Sequence, residues 1–571
     1  LKPCCLKIIS GSPGENAIKQ PMVDPIRIRA PADGPLSPVV AAVYPDARGP
    51  CLTAFCFWGS LVLFNWAAAI WRPEVLARVV IISGSIMVVM NYISAWHWFF
   101  SHNRWRYLSS QSLDDVKAED ITHVLSILHS SEPAEQLYSL VNDLKELPCE
   151  GKKIILIGFE ATSVDYRDRV DAVARMHGDD FHEIWYSVHT LQKGEIVGTA
   201  SNHYETQVAA QAHLKDWDTS NVIFSKFDTN MRLDNDRMLL REIEAVWCSV
   251  NPDVRNGITF MPNMAWSSGL PDAQRNLCEM SSCYLLNASL CCLPYSVAFV
   301  SGSLAGLCQV GYTPPSLLGE DDLVFSKKRA LLGHASTYRL ASSILKIMPS
   351  GTLTTELNWW SEYFEKKQKR WLMGQNEKEH YMFTWIFCRR RLRDFRNPHP
   401  PVSNRLSSLV STLLCTMRMY ITLVWPLISP VGARYVKDPT YLRLALFGLA
   451  GCTAMQIATN ARVYKAFRHV GLEPQDTWRC VLALLGTPMM STMTAVFTMW
   501  SFLKHGLLNK PVGHADWKVE APRSNKDSNY SESNSTSDPE TPASDCLEAS
   551  GMPLLAGSPG QLSSLNFALG A

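Results

Sequence analysis

Residues 221–230 read Asn-Val-Ile-Phe-Ser-Lys-Phe-Asp-Thr-Asn, and this stretch decides how the rest of the chain is understood. β-Branched and aromatic residues fill Asn221 to Phe227, which predicts a strand, and the strand gives way to Asp228-Thr229-Asn230. Asp228 therefore leaves the carboxyl end of a strand, the place where open α/β sheets bind ligands. A carboxylate there can hold Mg2+ or Mn2+, and the ion in turn neutralises a diphosphate. The plainer role of such an acid is to cap a helix or make a turn.

Working outward, His123 to Leu128, Lys153 to Phe159 and Ile184 to His189 are further short strands, and Asp165 to His177 is an amphipathic helix between them. Alternation of this kind predicts a largely parallel sheet covered by helices, filling residues 104–405. Its flanks are apolar. Cys51 to Trp71 lacks charge and Val79 to Phe100 has only His97; each is long enough to cross a hydrocarbon core of about 30 Å. The link Arg72-Pro73-Glu74 makes them a hairpin in residues 51–100, and Trp96, Trp98, Phe99 and Phe100 form an interfacial belt. Three more spans are expected within 406–505, at Ser407–Ser429, Tyr441–Asn460 and Val481–Leu503, the first carrying Arg418 and Pro426. Residues 1–50 read as a flexible cytosolic arm and 510–571 as a disordered tail.

Global averages hide this division: over 571 residues the net charge is +1, and the mean hydropathy of −0.04 is that of a soluble protein. The sixteen cysteines are scattered, which argues against a zinc ladder or a secreted disulfide framework. Gly-rich phosphate loops of the Walker or dinucleotide type are absent, and no nucleic-acid partner is expected. His177, Asp179, Asp180, His182 and Glu183 read as a hydrophilic connection rather than a metal cluster. Basic residues at Arg104 and Arg106, at Arg389 to Arg393 and Arg405, and at Arg462, Lys465, Arg468 and Arg479 all fall on one side of a five-span arrangement. By the positive-inside rule that side is the cytosol.

Two further clusters bear chemistry. Gly319-Glu320-Asp321-Asp322 opens a helical run, where acids complement the helix dipole or one of them serves as a general base for an acceptor hydroxyl. Lys367-Gln368-Lys369-Arg370-Trp371 sits on a helix before the third span. It is a lipid-facing anchor, or an arginine for a leaving phosphate beside an indole for a sugar face.

Taken in order, a strand-terminal Asp, a Glu-Asp pair and an Arg-Trp pair between membrane helices resemble the processive-type family 2 glycosyltransferases, the cellulose and hyaluronan synthase-like group. His123 to Ile127 with Glu132-Pro133 is similar to that family's first strand and acidic nucleotide loop, and Ile154 to Glu160 and Trp185 to His189 to its next strands. Gly194 to Asn202 resembles a loop written G-E-x-x-G-K-x-S-N, and Pro294 to Leu304 the acceptor-side segment. The chain departs from the pattern at Asn230, in place of a second metal-binding acid, and at Thr199, in place of a lysine. It also has Lys367 at the Gln of Q-x-x-R-W, and Leu128-His129-Ser130-Ser131 in place of Pro-Asn-Tyr-Lys.

The resemblance implies an α/β GT-A-like domain inserted between transmembrane α-helices, with sugar transfer by a single inverting displacement. Asp228 and Asn230 would hold Mg2+ or Mn2+; Glu132, Glu160, Ser201, Asn202 and Arg370 would bind the nucleotide-sugar donor. Asp321, with Glu320, would supply the base, and Trp371 would line the site of a glycan or lipid acceptor. It further implies a multi-pass protein of the plasma membrane or of the Golgi or endoplasmic reticulum, in contact with membrane lipids, its catalytic domain cytosolic. Two other readings stay open: an inactive relative that binds a nucleotide or partner as a scaffold, and a transporter or channel with a regulatory loop.

Overall fold

The computed structural model describes residues 28–29, 48–79, 116–129, 132–160, 165–190, 199–233, 238–266, 299–310, 336–347, 369–387, 401–435 and 477–510, with isolated residues elsewhere that include Ser163, Glu195 and Arg329. Most of the expected spans Val79–Phe100 and Tyr441–Asn460, the tail, and Glu320 and Asp321 lie outside the described residues.

A nine-stranded sheet organises the domain, in the order β1-β4-β3-β2-β5-β8-β7-β9-β6. The strands are β1 (Ile28–Arg29), β2 (Thr122–His129), β3 (Lys152–Glu160), β4 (Glu183–His189), β5 (Val222–Asp228), β6 (Met231–Leu233), β7 (Ile258–Trp266), β8 (Val300–Ser303) and β9 (Ser336–Ile347). β2 to β5 fall within a residue of their predicted ends. They pair in parallel as β4-β3-β2-β5, and β2 and most of β3 are buried on both faces, as a covered parallel sheet requires. Beyond β5 the sheet is mixed: β8 runs antiparallel to both β5 and β7, β6 antiparallel to β9, and β7 and β9 pair in parallel. β6 and β8 are short or rich in Gly and Ser, so periodicity alone does not reveal them. Within the arm, Ile28 and Arg29 pair with Ile184 and Trp185 on the open edge of β4.

Period-two alternation divides the core between the two faces. Leu125, Ile127, Ile155, Ile157 and Phe159 pack beneath α2 (Ala134–Lys145), α3 (Tyr166–His177) and α5 (Leu239–Ser249). Val124, Ile154, Leu156 and Phe224 point the other way, toward α4 (Thr199–His213), α6 (Leu304–Val310) and α7 (Lys369–Phe387). Gly158 sets how close α4 lies: a Cβ there would stand 2.4 Å from Thr206 Cγ2 and 2.5 Å from Asn202 Oδ1.

A separate helical group contains α1 (Arg48–Trp71), α8 (Val402–Met419), a π-turn at Tyr420–Val424, α9 (Trp425–Tyr435) and α10 (Thr477–Phe502) with a terminal π-turn at Leu503–Leu507. The first π-turn ends two residues before Pro426, whose missing N–H leaves a gap in the regular ladder. Buried polar pairs stitch this group: Tyr420 Oη donates to Asn65 Oδ1 at 3.0 Å, and Trp58 Nε1 to Asn376 Oδ1 at 2.8 Å. At its far end Gly506 admits α1, since a Cβ would come within 2.5 Å of the Leu52 nitrogen. Among the described residues α1 is the one helix long and apolar enough to cross a membrane by length and composition. Phe57, Leu63, Phe64, Ile70 and Trp71 on its outer side are exposed.

Helix α7 joins the two cores. Leu372 and Met373 near its start pack into the helical group, while Tyr381, Met382, Trp385 and Ile386 pack against the sheet. Arg370 and Trp371 therefore stand in the first turn, at the end that enters the helical group.

Candidate active site

β2 is followed on one side by β3 and β4, and β5 returns to its other side, so the direction of winding reverses between β2 and β5. Such a reversal opens a crevice outside the carboxyl ends of the strands, because the connections on its two sides leave in opposite directions. Register places Leu128 opposite both Asp228 and Gly158, and Glu160 opposite His189. Asp228, His129, Glu160 and His189 thus end four adjacent parallel strands along one edge.

Each acid on that edge is held by neighbours. Asp228 is one-third exposed, with Oδ1 3.5 Å from the Nζ of the buried Lys226. The turn after it is braced by Arg232, whose Nη1 donates to the carbonyls of Thr229 at 2.8 Å and Met231 at 2.6 Å. Glu132 is fixed through its backbone, its carbonyl accepting from Arg169 Nη1 at 2.9 Å. Arg169 also donates to His129 Nε2 and pairs with Asp165 at 2.7 Å. Asn202 Nδ2 bridges the ends of β2 and β3, donating to the Gly158 carbonyl at 3.0 Å and the His129 carbonyl at 3.3 Å.

The sequence motif Gly194 to Asn202 is a loop only in part, since Thr199 to Asn202 form the first turn of α4 and bury Ser201 and Asn202 under the strand ends. With its amide hydrogens on two strand carbonyls, Asn202 shapes the floor of the crevice.

At the β3–β4 end of the edge, His189 lies between two carboxylates: Nδ1 is 3.1 Å from Glu160 Oε2 and Nε2 is 3.0 Å from Glu195 Oε2. Burial works to lower its pKa, and the two carboxylates outweigh burial and raise it to about 9. Nearby on α4, burial and Glu195 push the Glu205 carboxyl above its ordinary range, partly offset by His189. Beyond the segment that carries Glu320 and Asp321, the fully buried Arg329 donates to the Ile258 carbonyl at 2.8 Å, with burial lowering its pKa to about 10. Gly302 makes room for it, because a Cβ there would lie 3.0 Å from Arg329 Nη1.

The structure brings Glu132, Glu160, Asn202 and Asp228 to one edge, and carries Arg370 and Trp371 on α7. His129, Arg169, His189 and Lys226 were not foreseen in the site. Only the Asp165–Arg169 spacing on one helix face gave a signal for any of them.

Asp228 and Asn230 offer one carboxylate and one amide oxygen, hard donors of the kind Mg2+ and Mn2+ accept. Among the described residues no three His, Cys, Asp or Glu side chains gather to hold a metal ion. One carboxylate and one amide oxygen would fit a divalent cation that takes most of its ligands from elsewhere. Replacing Asn230 by Asp adds a second charge, and is expected to lower the Mn2+ concentration that half-saturates nucleotide binding by about tenfold. Titration of Mn2+ into the parent and variant in the presence of UDP or GDP measures this, and an unchanged midpoint takes position 230 out of the metal shell.

No protein-family profile matches the chain, and no curated protein sequence matches it. Among solved structures it is similar to the mannosyltransferase PcManGT from Pyrobaculum calidifontis in complex with GDP-Man and Mn2+, at 12% identity and a TM-score of 0.40, over 74% of this chain and 99% of that one. It is also similar to residues 1–349 of TarS from S. aureus in complex with UDP-GlcNAc, at 10% identity and a TM-score of 0.32, over 65% of this chain and 92% of that one.

Proposed function

We propose that the chain is a membrane-bound glycosyltransferase that moves a sugar from a nucleotide-sugar donor to a glycan or lipid-linked acceptor. One observation supports the reading: of the acids that the sequence motifs single out, Asp228 and Glu160 end strands of the parallel set that reverses between β2 and β5, and Glu132 follows β2 with its carbonyl held by Arg169. In this reading Glu132 and Glu160 take the nucleoside, and Asp228 with Asn230 faces the diphosphate, where a bound Mg2+ or Mn2+ neutralises charge. Arg370 stabilises the leaving diphosphate, whose charge grows in the transition state, and Trp371 lines the acceptor side. Asp321 removes the acceptor proton as its oxygen attacks the anomeric carbon, which inverts there. In this reading the acceptor is a glycan or lipid that approaches beside the helices against which Leu372 and Met373, next to Arg370 and Trp371, pack. Turnover in membranes across a panel of nucleotide sugars tests the reading.

A second reading, a donor-binding protein without turnover, is favoured by one feature. Asp228 already pairs with the buried Lys226, and its partner acid is replaced by Asn230. Binding of a UDP- or GDP-sugar with no product in any acceptor assay selects it.

Five spans with a cytosolic start would place the segment after Leu503 on the lumenal or extracellular side, a topology supported by the basic clusters and by the exposed apolar side of α1. Asn529-Tyr530-Ser531 and Asn534-Ser535-Thr536 match the N-glycosylation pattern and report on it. In a secretory-pathway host the expected result is a glycosidase-sensitive mass shift that disappears when Asn529 and Asn534 are both changed to Gln. Consistent absence of the shift means an even number of spans, with the Arg418 segment lying along the interface instead.

A further inference from the structure

His189 is 3% exposed and has a carboxylate oxygen within hydrogen-bond distance of each ring nitrogen, Glu160 on β3 and Glu195 in the connection from β4 to α4. An ionised carboxylate only accepts, so a ring that serves both must carry both protons and be an imidazolium. It is one positive charge held between two carboxylates, with the Glu205 carboxyl on α4 within its electrostatic reach. Tyr204, beside Glu205, is a further titratable neighbour of these acids, its phenol pushed up first by burial and then by Glu205 and Glu195. Without that charge, Glu160, Glu195 and Glu205 would repel across a buried space, and Glu160 would lose the donor that fixes its carboxylate plane.

We propose that His189 is a positioning residue of the nucleotide pocket: donating from both ring nitrogens, it holds Glu160 and Glu195 at a fixed spacing at the end of β3 and β4, and so sets the geometry in which the nucleoside is recognised. The inference rests on the nucleotide-binding reading of this edge. It assigns the nucleoside end of the site to the β3–β4 side of the crevice and leaves the diphosphate end at Asp228. Replacing the ring therefore weakens recognition of the nucleoside without touching recognition of the diphosphate.

The test is calorimetry on the full chain in detergent, with UDP, GDP and inorganic pyrophosphate as probes in the presence of Mn2+. His189→Gln is neutral and cannot donate to two carboxylates in the same geometry. The expected outcome is about tenfold weaker binding of the preferred nucleotide, the loss of one charge-assisted hydrogen bond, with pyrophosphate affinity unchanged. Glu195→Gln, which keeps shape and an acceptor, should show the same selectivity at about threefold, and guards against a His189 variant that does not fold. A pH series adds a readout that packing alone would not move. Below about pH 8 the parent outbinds His189→Gln, and the two converge as pH rises through about 9, where the imidazolium loses its proton. Titration of the base itself affects both proteins alike and cancels in the ratio. Equal loss for nucleotide and pyrophosphate, no loss for either variant, or a parent-to-variant ratio flat with pH overturns the inference while the nucleotide reading stands. A parent chain that binds neither UDP nor GDP overturns both.

Discussion

Changing Asp321 to Asn is expected to lower sugar transfer by about two orders of magnitude, close to 3 kcal/mol of transition-state stabilisation, while donor affinity changes by less than about twofold. The substitution keeps size and polarity and removes only the ability to accept a proton from the acceptor hydroxyl. If the acid instead served the helix dipole alone, its amide would cost a few tenths of a kcal/mol in stability and nothing specific in turnover. Initial rates with a nucleotide-sugar donor in membranes, beside UDP or GDP affinity by calorimetry, separate the two roles. Unchanged turnover removes Asp321 from the mechanism, and parallel loss of affinity and turnover points to a disturbed fold.

The parallel set β2 to β5 was legible because each strand carries a cluster of β-branched and aromatic residues that ends in a polar one, as its burial in the sheet requires. The mixed half, where β7 and β9 pair in parallel and β8 and β6 antiparallel to their neighbours, was not. Val300-Ser301-Gly302-Ser303 has one apolar residue, and its strand conformation comes from pairing with β5 and β7 rather than from its own propensity. The same division holds in the site. Asp228 and Glu160 stand where a strand ends in an acid, which sequence displays directly. His189 is the last residue of an ordinary strand, and its importance arises only when β3 brings Glu160 to its side. Lys226 likewise reads as an outward lysine of a half-exposed strand until the sheet closes over both faces and leaves its ammonium against Asp228. Long-range pairing supplies the chemistry that local pattern cannot.

The largest effect on stability is expected at the opposite, amino edge of the sheet, from Glu244→Ala. The Glu244 side chain is fully buried and gathers four donors: His123 Nε2 at 3.2 Å, the Gly151 and Glu150 backbone nitrogens at 2.9 and 3.0 Å, and Arg241 Nη1 at 2.9 Å. It ties α5 to the starts of β2 and β3, where the chain is so tight that a Cβ on Gly151 would stand 2.3 Å from the Ile121 carbonyl oxygen. Truncation leaves two backbone N–H groups without their acceptor and takes one carboxylate from Arg241, which keeps the Val116 carbonyl and Glu150, a loss of about 3 kcal/mol. Burial alone would raise the Glu244 pKa, but the donors from His123, Gly151 and Glu150 outweigh it and hold the carboxyl below its ordinary value of 4.5. The stabilisation is therefore complete above that ordinary value and is lost as pH falls through the lower folded one. Thermal unfolding of the full chain, followed by tryptophan fluorescence between pH 3 and 7, should show a lower midpoint for Glu244→Ala at neutral pH, with the gap to the parent closing in acid. Nucleotide affinity of the protein that remains folded should be unchanged, because the network lies at the end of the strands remote from Asp228 and Glu160. A midpoint equal to the parent's at pH 7 would mean that solvent reaches the donors once the carboxylate is gone, and that the start of β3 is held by its ladder to β2 alone.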